Sequence, residues 1–330
     1  MMEPHDSSSA LWISWYDHRR TGSLCEAWNV PLLVLRSDRG APLRWCILFL
    51  RTLKTLFRER PGTLFVQNPS LGLALMAVAL KPVFRFRLVV DAHNEGVRPY
   101  VRSGWLVRLL TEWVISHATV TIVTNDELAS DVDALGGTPQ VLPDALPVPS
   151  IGKSPVWGKP ARDLVVVIST FAPDEPTEAV LLAAGRLRHV DFAVTGKTES
   201  FKGDTSEVPD NVTLTGFLPD CDYWTLLSES TVVCDLTLME DCLVCGAYEA
   251  LCLGKPMVLS ENAATRRLFG DAAILCQPDP RSIASALSEA IEQQDELRSK
   301  AARLSLGYNE KWRRDSKVIK SKILQGIGVD

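Results

Sequence analysis

The feature that most constrains this chain is an alternation of short β-branched runs with helical patterns, interrupted once by a proline-rich stretch. In the first half, candidate strands are 11–16 "LWISWY", 31–35 "PLLVL", 63–67 "TLFVQ", 87–91 "RLVVD", 119–124 "TVTIVT" and 139–142 "PQVL". Helical patterns lie at about 43–59, 71–81, 103–117 and 126–135. Short β-rich runs separated by helices predict βαβ units and parallel sheets. The stretch 147–160, "PVPSIGKSPVWGKP", holds four prolines and reads as an interdomain linker. Alternation then resumes, with strands at 164–168, 191–195, 211–215, 231–235, 256–259 and 272–276. Helices at about 174–187, 222–229, 246–253 and 279–293 lie among them, and the tail 295–325 is charged and helical. The expectation is an α/β protein of two doubly wound, Rossmann-like domains, 1–147 and 163–330, with a linker at 148–162. A ligand cleft is expected between them, beyond the carboxyl ends of the strands.

Length agrees, since 330 residues are long for one core. The opening "MMEPHDSSSA" lacks the basic start and apolar run of a signal peptide. The longest apolar run, "LGLALMAVAL" (71–80), falls short of the roughly 18 residues of a membrane span and fits a buried helix. Without a secretion signal the eight cysteines read as reduced thiols, and a cytoplasmic location is expected.

The net charge is −5, yet between Arg36 and Arg108 thirteen Lys and Arg face only Asp38, Glu59, Asp91 and Glu95. A basic surface on an acidic protein points to an anionic partner. Within it lies "LRWCILFLRTLKTLFRER" (43–60). On a helix, Arg44, Arg51, Lys54 and Arg58 fall within an arc of about 80°. Trp45, Ile47, Leu48, Phe49, Leu53, Leu56 and Phe57 cover much of the rest. Two readings are open: a helix lying in the interface of an anionic membrane, so that the protein is peripheral, or a core helix with one wet edge. Nucleic acid is not expected as a partner.

Chemistry concentrates in "EDCLVCGAYEALCLGKP" (240–256). Asp241 and Glu249 stand eight residues apart, with Gly246 opening a helix between them, so Glu249 falls in the first helical turn. A carboxylate there can accept both hydroxyls of a ribose diol, and the free N–H groups of the helix start favour a phosphate. Asp241, on the loop, can reach a sugar hydroxyl. The alternative is a pair of acids that merely complement the helix dipole. Cys242 and Cys245 have neither a second CxxC nor a nearby histidine, which leaves a zinc site half its ligands short. Asp220 and Asp222 form a D-x-D that reads as helix caps, and no metal is expected.

In the first half, "VVDAHNEG" (89–96) ends a strand, placing Asp91, His93 and Asn94 at its carboxyl edge. His93 is either structural or part of a site. "YDHRRTGSL" (16–24) follows the first strand as a loop. Its Arg19, Arg20 and Thr21 read either as a solvated loop or as a diphosphate grip, since arginine pairs bidentately with phosphate.

These residues carry a resemblance. The region 164–293 resembles the nucleotide-binding domain of GT-B glycosyltransferases of the family 4 type, which carry Glu-x7-Glu before "EAMACGxPVV". Here "DCLVCGAYEALCLGKPMVLSENAATRRLFGDAAILCQPDP" stands in that place, with Asp241 at the first acid, and "VPDNVTLTGFLPDCDYWTLLSES" is similar to the preceding segment. The family's Arg…Lys pair is replaced by "STFAPDEPTEAVLLAA", which resembles the dolichol-linked chitobiose mannosyltransferase, as Asp91, His93 and Asn94 resemble its "DWHN". The resemblance implies a GT-B fold and transfer of a hexosyl group from a UDP- or GDP-linked donor to a glycan or polyprenyl-linked acceptor, without metal or other cofactor. It also implies that Glu249 holds the donor ribose and that Asp241 and His93 lie at the transferred sugar. Gly216, Phe217 and Leu218 would face the base, while Ser169, Thr170 and Gly246 would face the diphosphate. Two other readings share the fold: a GT-B sugar epimerase, and a partner subunit that binds nucleotide-sugar or membrane without catalysis.

Overall fold

A computed structural model describes residues 9–99, 104–158 and 162–325 of the chain. The chain divides into two compact units, 1–145 with 311–330, and 146–310.

The first unit is built on a six-stranded sheet in the order β2-β1-β3-β4-β5-β6, every pairing parallel. Its strands are β1 Ala10–Ser14, β2 Leu32–Val34, β3 Thr63–Asn68, β4 Arg87–Ala92, β5 Val120–Val123 and β6 Pro139–Val141. The central β3 is buried along its whole length, as a parallel strand covered on both faces must be. Alternation sorts its side chains: Leu64 and Val66 join one core, Phe65 the other. On the first face pack α2 (Leu43–Glu59), α3 (Leu71–Phe84) and α5 (Trp105–His117), through Leu48, Leu56, Leu73, Ala74, Val114 and Ile115. On the second face Trp12 and Phe65 meet α1 (Arg19–Trp28) through Leu24, Cys25 and Trp28. This unit also holds α4 (Asn94–Val97) and α6 (Asp126–Ala134), the latter capped by Asn125, which accepts from Leu128 N at 2.9 Å.

The second unit repeats the plan, with strand order β12-β11-β10-β7-β8-β9 and parallel pairing throughout. Its strands are β7 Leu164–Val167, β8 Asp191–Thr195, β9 Val212–Gly216, β10 Val232–Asp235, β11 Met257–Ser260 and β12 Ala273–Cys276. Its helices are α7 (Thr177–Ala184), α8 (Asp220–Glu229), α9 (Cys245–Cys252), α10 (Ala263–Phe269), α11 (Pro280–Glu292) and the start of α12 (Gln294–Gln325). No described helix is long and apolar enough to cross a membrane.

Two expectations are corrected. Residues 19–28, read as part of a loop, form α1. The tail does not end in the second unit: residues 311–325 belong to the first, where Ile319 and Ile323 complete the core behind Trp12. Trp28 Nε1 donates to Ser316 Oγ at 2.7 Å and Trp312 Nε1 to the Pro143 carbonyl at 2.8 Å. The proline-rich segment is tied to the second unit, where Glu229 accepts from the backbone N–H of Val156 and Trp157 at 3.1 and 2.7 Å. Residues 159–161 of the expected linker and residue 103 of an expected helix lie outside the described residues.

Helix α2 is buried along one narrow edge only. Leu48, Thr52 and Leu56, spaced by four, form its buried edge. Trp45, Phe49, Leu50 and Phe57 remain exposed beside Arg44, Arg51, Lys54 and Arg58.

Candidate active site

In each sheet the order reverses at one point, where a crevice opens beyond the carboxyl ends of two neighbouring strands. In the second unit this point lies between β7 and β10. In the first it lies between β1 and β3. Most of the predicted site residues lie close to these two points, whereas Gly216, Phe217 and Leu218 follow β9, the outer strand of the second sheet.

Strand β10 ends on Asp235, which is buried. Its Oδ2 accepts the Gly246 N–H at 2.8 Å, so the strand end ties down the first turn of α9. A side chain at 246 would not fit, because an added Cβ would lie 2.4 Å from both Asp235 Oδ2 and Ile168 Cδ1. Burial pushes the Asp235 carboxyl well above the usual range; the Gly246 N–H opposes this, while the charges of Glu249, Glu175 and Asp174 add to it. Glu249 follows one turn later on α9, 5% exposed, and accepts from the Tyr223 hydroxyl of α8. The helix start therefore presents a buried carboxylate that can take a diol; with the Gly246 N–H held by Asp235 and that of Ala247 directed at the Val244 carbonyl, an anion there is favoured by the positive end of the helix dipole. Asp241 lies on the turn leading into α9, with φ of 51°, a left-handed conformation that aspartate tolerates.

At the end of β9, Gly216 takes φ of 72° where the register shifts. This turns Phe217 into solvent, 73% exposed, with the Lys197 ammonium 5.9 Å from its ring centre. An exposed aromatic on a sheet edge offers a stacking face. Leu218 is half-buried beside it.

The loop after β7 departs from expectation. Ser169 and Thr170 do not offer free hydroxyls to a diphosphate, because both donate to Glu175. Asp174, next to it, accepts from Thr237 Oγ1 at 3.2 Å, and its carbonyl accepts from Leu238 N at 2.6 Å.

At the switch point of the first sheet, Arg20 is buried in α1. Its Nε donates to Asp91 and its guanidinium to Asp144 and the Leu142 carbonyl. Burial alone would lower its pKa, but the charges of Asp91 and Asp144 more than reverse that. The expectation that Arg20 grips a phosphate is corrected: it braces the ends of β4 and β6 from within. Arg19, one residue away, is exposed. Thr21 is buried.

His93 stands just before α4, its side chain 20% exposed, with Nε2 3.5 Å from Gln67 Nε2 and 3.8 Å from Asp91 Oδ2. Asn94 opens α4 beside it. The His18 ring lies 4.4 Å from that of His93, centre to centre. Burial first, then the neighbouring His93, pushes His18 down to about 4; burial also lowers His93. Both imidazoles are therefore neutral at pH 7, and a neutral imidazole can accept a proton from an attacking hydroxyl.

Sequence reasoning missed His18, Asp144, Tyr223, Asp235 and Glu175. Only Asp235 left a signal, as the acid ending an apolar strand.

Two parallel six-stranded sheets, each with polar groups massed at its switch point, define a two-domain Rossmann-like fold of the GT-B type. Residues 13–145 match the family model described as glycosyl transferase 4-like domain, and residues 162–293 match glycosyl transferases group 1. The chain belongs to the group 1 glycosyltransferases. No curated protein matches it significantly. Among solved structures it is similar to HepE of Anabaena in complex with UDP-glucose, with a TM-score of 0.71 at 14% identity over 96% of this chain and 91% of that one. Sucrose-phosphate synthase of Thermosynechococcus elongatus is similar to the same degree, with a TM-score of 0.71 at 13% identity and 97% of each chain covered. The lipopolysaccharide outer core galactosyltransferase WaaB gives a TM-score of 0.66 at 12% identity over 97% of this chain and 100% of that one.

Proposed function

We propose that this glycosyltransferase moves a hexosyl group from a UDP- or GDP-linked donor to a glycan on a polyprenyl carrier, at the surface of an anionic membrane. The observation that carries the donor half is Glu249: a buried carboxylate one turn into α9, at the switch point of the second sheet. It suits a ribose diol, and the positive end of the α9 dipole favours a phosphate. Uridine is the favoured base, supported by the HepE structures with UDP-glucose and UDP.

Bond cleavage at the anomeric carbon leaves positive charge on the sugar and negative charge on the departing diphosphate. The start of α9 stabilises the second of these, and Asp241 faces the sugar. Neutral His93 takes the acceptor hydroxyl proton or orients that hydroxyl. The lipid-linked acceptor is supported by the likeness of "DAHN" and "STFAPDEPT" to the dolichol-linked mannosyltransferase and by the exposed aromatic and basic side chains of α2.

Calorimetric titration with UDP and GDP tests the donor half. Replacing Glu249 by Ala should weaken binding by about 1.5–3 kcal/mol, the range for a hydrogen bond to a charged group. Unchanged affinity in a folded variant removes Glu249 from the site. Transfer of labelled sugar into an organic-extractable product, with and without EDTA, tests the acceptor and the metal requirement.

A further inference from the structure

The loop after β7 gathers four hydrogen-bond donors on one point. The Thr170 N–H lies 3.0 Å from each carboxylate oxygen of Glu175, the Thr170 hydroxyl 2.7 Å from Oε1, and the Phe171 N–H 2.9 Å from Oε2; the Ser169 hydroxyl completes the set. Successive N–H groups converging in this way form an anion-binding concavity. Its shape depends on two uncommon backbone conformations. Phe171 has φ of 58°, unfavourable for an aromatic residue. Gly196 has φ of 115° and lies so close that a Cβ there would stand 2.6 Å from the Ser169 carbonyl oxygen.

The concavity sits at the switch point of the second sheet, where the donor's phosphates are expected under the functional reading on which this inference rests. Yet residues 168–178, "ISTFAPDEPTE", contain three acids and no Lys, Arg or His. A carboxylate already seated there repels a second anion, and the loop has no cation to offset it. Glu175 also borders a small cavity lined by Ser169, Thr177 and Leu236.

We propose that the loop 169–171 is an anion site that this chain fills with its own Glu175, and that the resident carboxylate keeps the donor's phosphates off this loop. Glu175 is thus a specificity-determining residue: it leaves the diphosphate to the first turn of α9.

Two variants, Glu175→Ala and Glu175→Gln, test this. The first readout is thermal stability against sodium formate and inorganic phosphate, with sodium chloride at matched ionic strength. Wild type should respond to formate no more than to chloride. Glu175→Ala should show a saturable stabilisation by formate or phosphate, since a ligand that binds only the folded state raises its stability. The second readout is the affinity ratio of UDP to uridine, which should rise at least tenfold in Glu175→Ala and by a smaller factor in Glu175→Gln.

A folded Glu175→Ala with no saturable response to either anion overturns the anion site. A ratio that stays level or falls in both variants overturns the exclusion. Should Glu175→Ala not fold, the ratio in Glu175→Gln decides. If wild type binds no nucleotide, the donor reading fails, and the formate and phosphate arm still decides the site.

Discussion

Arg20 sets its Nε between the two carboxylate oxygens of Asp91, at 2.9 and 3.2 Å, with neither side chain reaching solvent. A pair this deep is expensive to break, because one partner stays buried and charged. Arg20→Met should therefore cost about 3–5 kcal/mol, and adding Asp91→Asn should recover part of that loss. Urea unfolding checks both. A single variant as stable as wild type would show that the pair does not hold the strand ends together.

Gly246 has no room for a methyl group between Asp235 and Ile168. Gly246→Ala should cost about 1–3 kcal/mol, the usual range for overpacking. It should also weaken nucleotide binding, because the first turn of α9 must shift. Thermal unfolding with and without UDP measures the two effects separately.

The His18–His93 pair fixes the sign of an acid response. The folded His18 pKa is about 4, against an ordinary 6.5, chiefly through burial. Above pH 6.5 neither the folded nor the unfolded chain holds the extra proton, and the pair adds no pH dependence to stability. As pH falls from 6.5 toward 4 the unfolded chain takes up the proton first, so stability is lost across that window. Asp91, Asp144, Glu95 and Arg20 face the same cluster and modulate the effect. Replacing His18 by Gln should flatten the fall in melting temperature between pH 6.5 and 4.5. An unchanged slope would contradict the assignment.

Exposed cations on α2 lie beside exposed Trp45, Phe49, Leu50 and Phe57. Each cation near an anionic leaflet contributes about 1 kcal/mol. The protein should co-sediment with anionic vesicles at low salt and be released at high salt, as the screening length falls from about 10 Å at 0.1 M to 3 Å at 1 M. Changing Arg51, Lys54 and Arg58 to Glu should abolish pelleting and spare nucleotide binding. Wild type that ignores such vesicles at low salt removes the lipid-linked acceptor reading.

The fold was legible in the sequence because strands buried on both faces, such as "TLFVQ" and "LVVVI", read as unbroken apolar runs. Helix α1 was not. Its inward positions are Arg20, Thr21, Leu24, Cys25 and Trp28, so two of the five points of its buried stripe are polar. The apolar period that reveals a helix is missing at the start, and Gly22 suggests a turn. Residues 263–269 hid for a different reason: the helix is seven residues long and buries only Ala264, Thr265 and Phe269, too short a stripe to show a period. At the site, Gly246 and Glu249 were legible because both lie on one short motif. Asp235, Tyr223 and Glu175 come from a strand end, a different helix and a loop. Nothing local in "TVVCDL" says that its aspartate will tie down a glycine eleven residues on.

The return of α12 to the first unit bears on how this protein is made. Trp12, Trp28 and Phe65 share a core with Ile319 and Ile323, which come about 250 to 310 residues later in the chain. While the ribosome works through the second unit, the first can pair its strands but cannot seal that side of its sheet. The two units thus need not mature in the order in which they are synthesised: the second closes on residues up to 310, and the first must wait for Trp312 to Ile323.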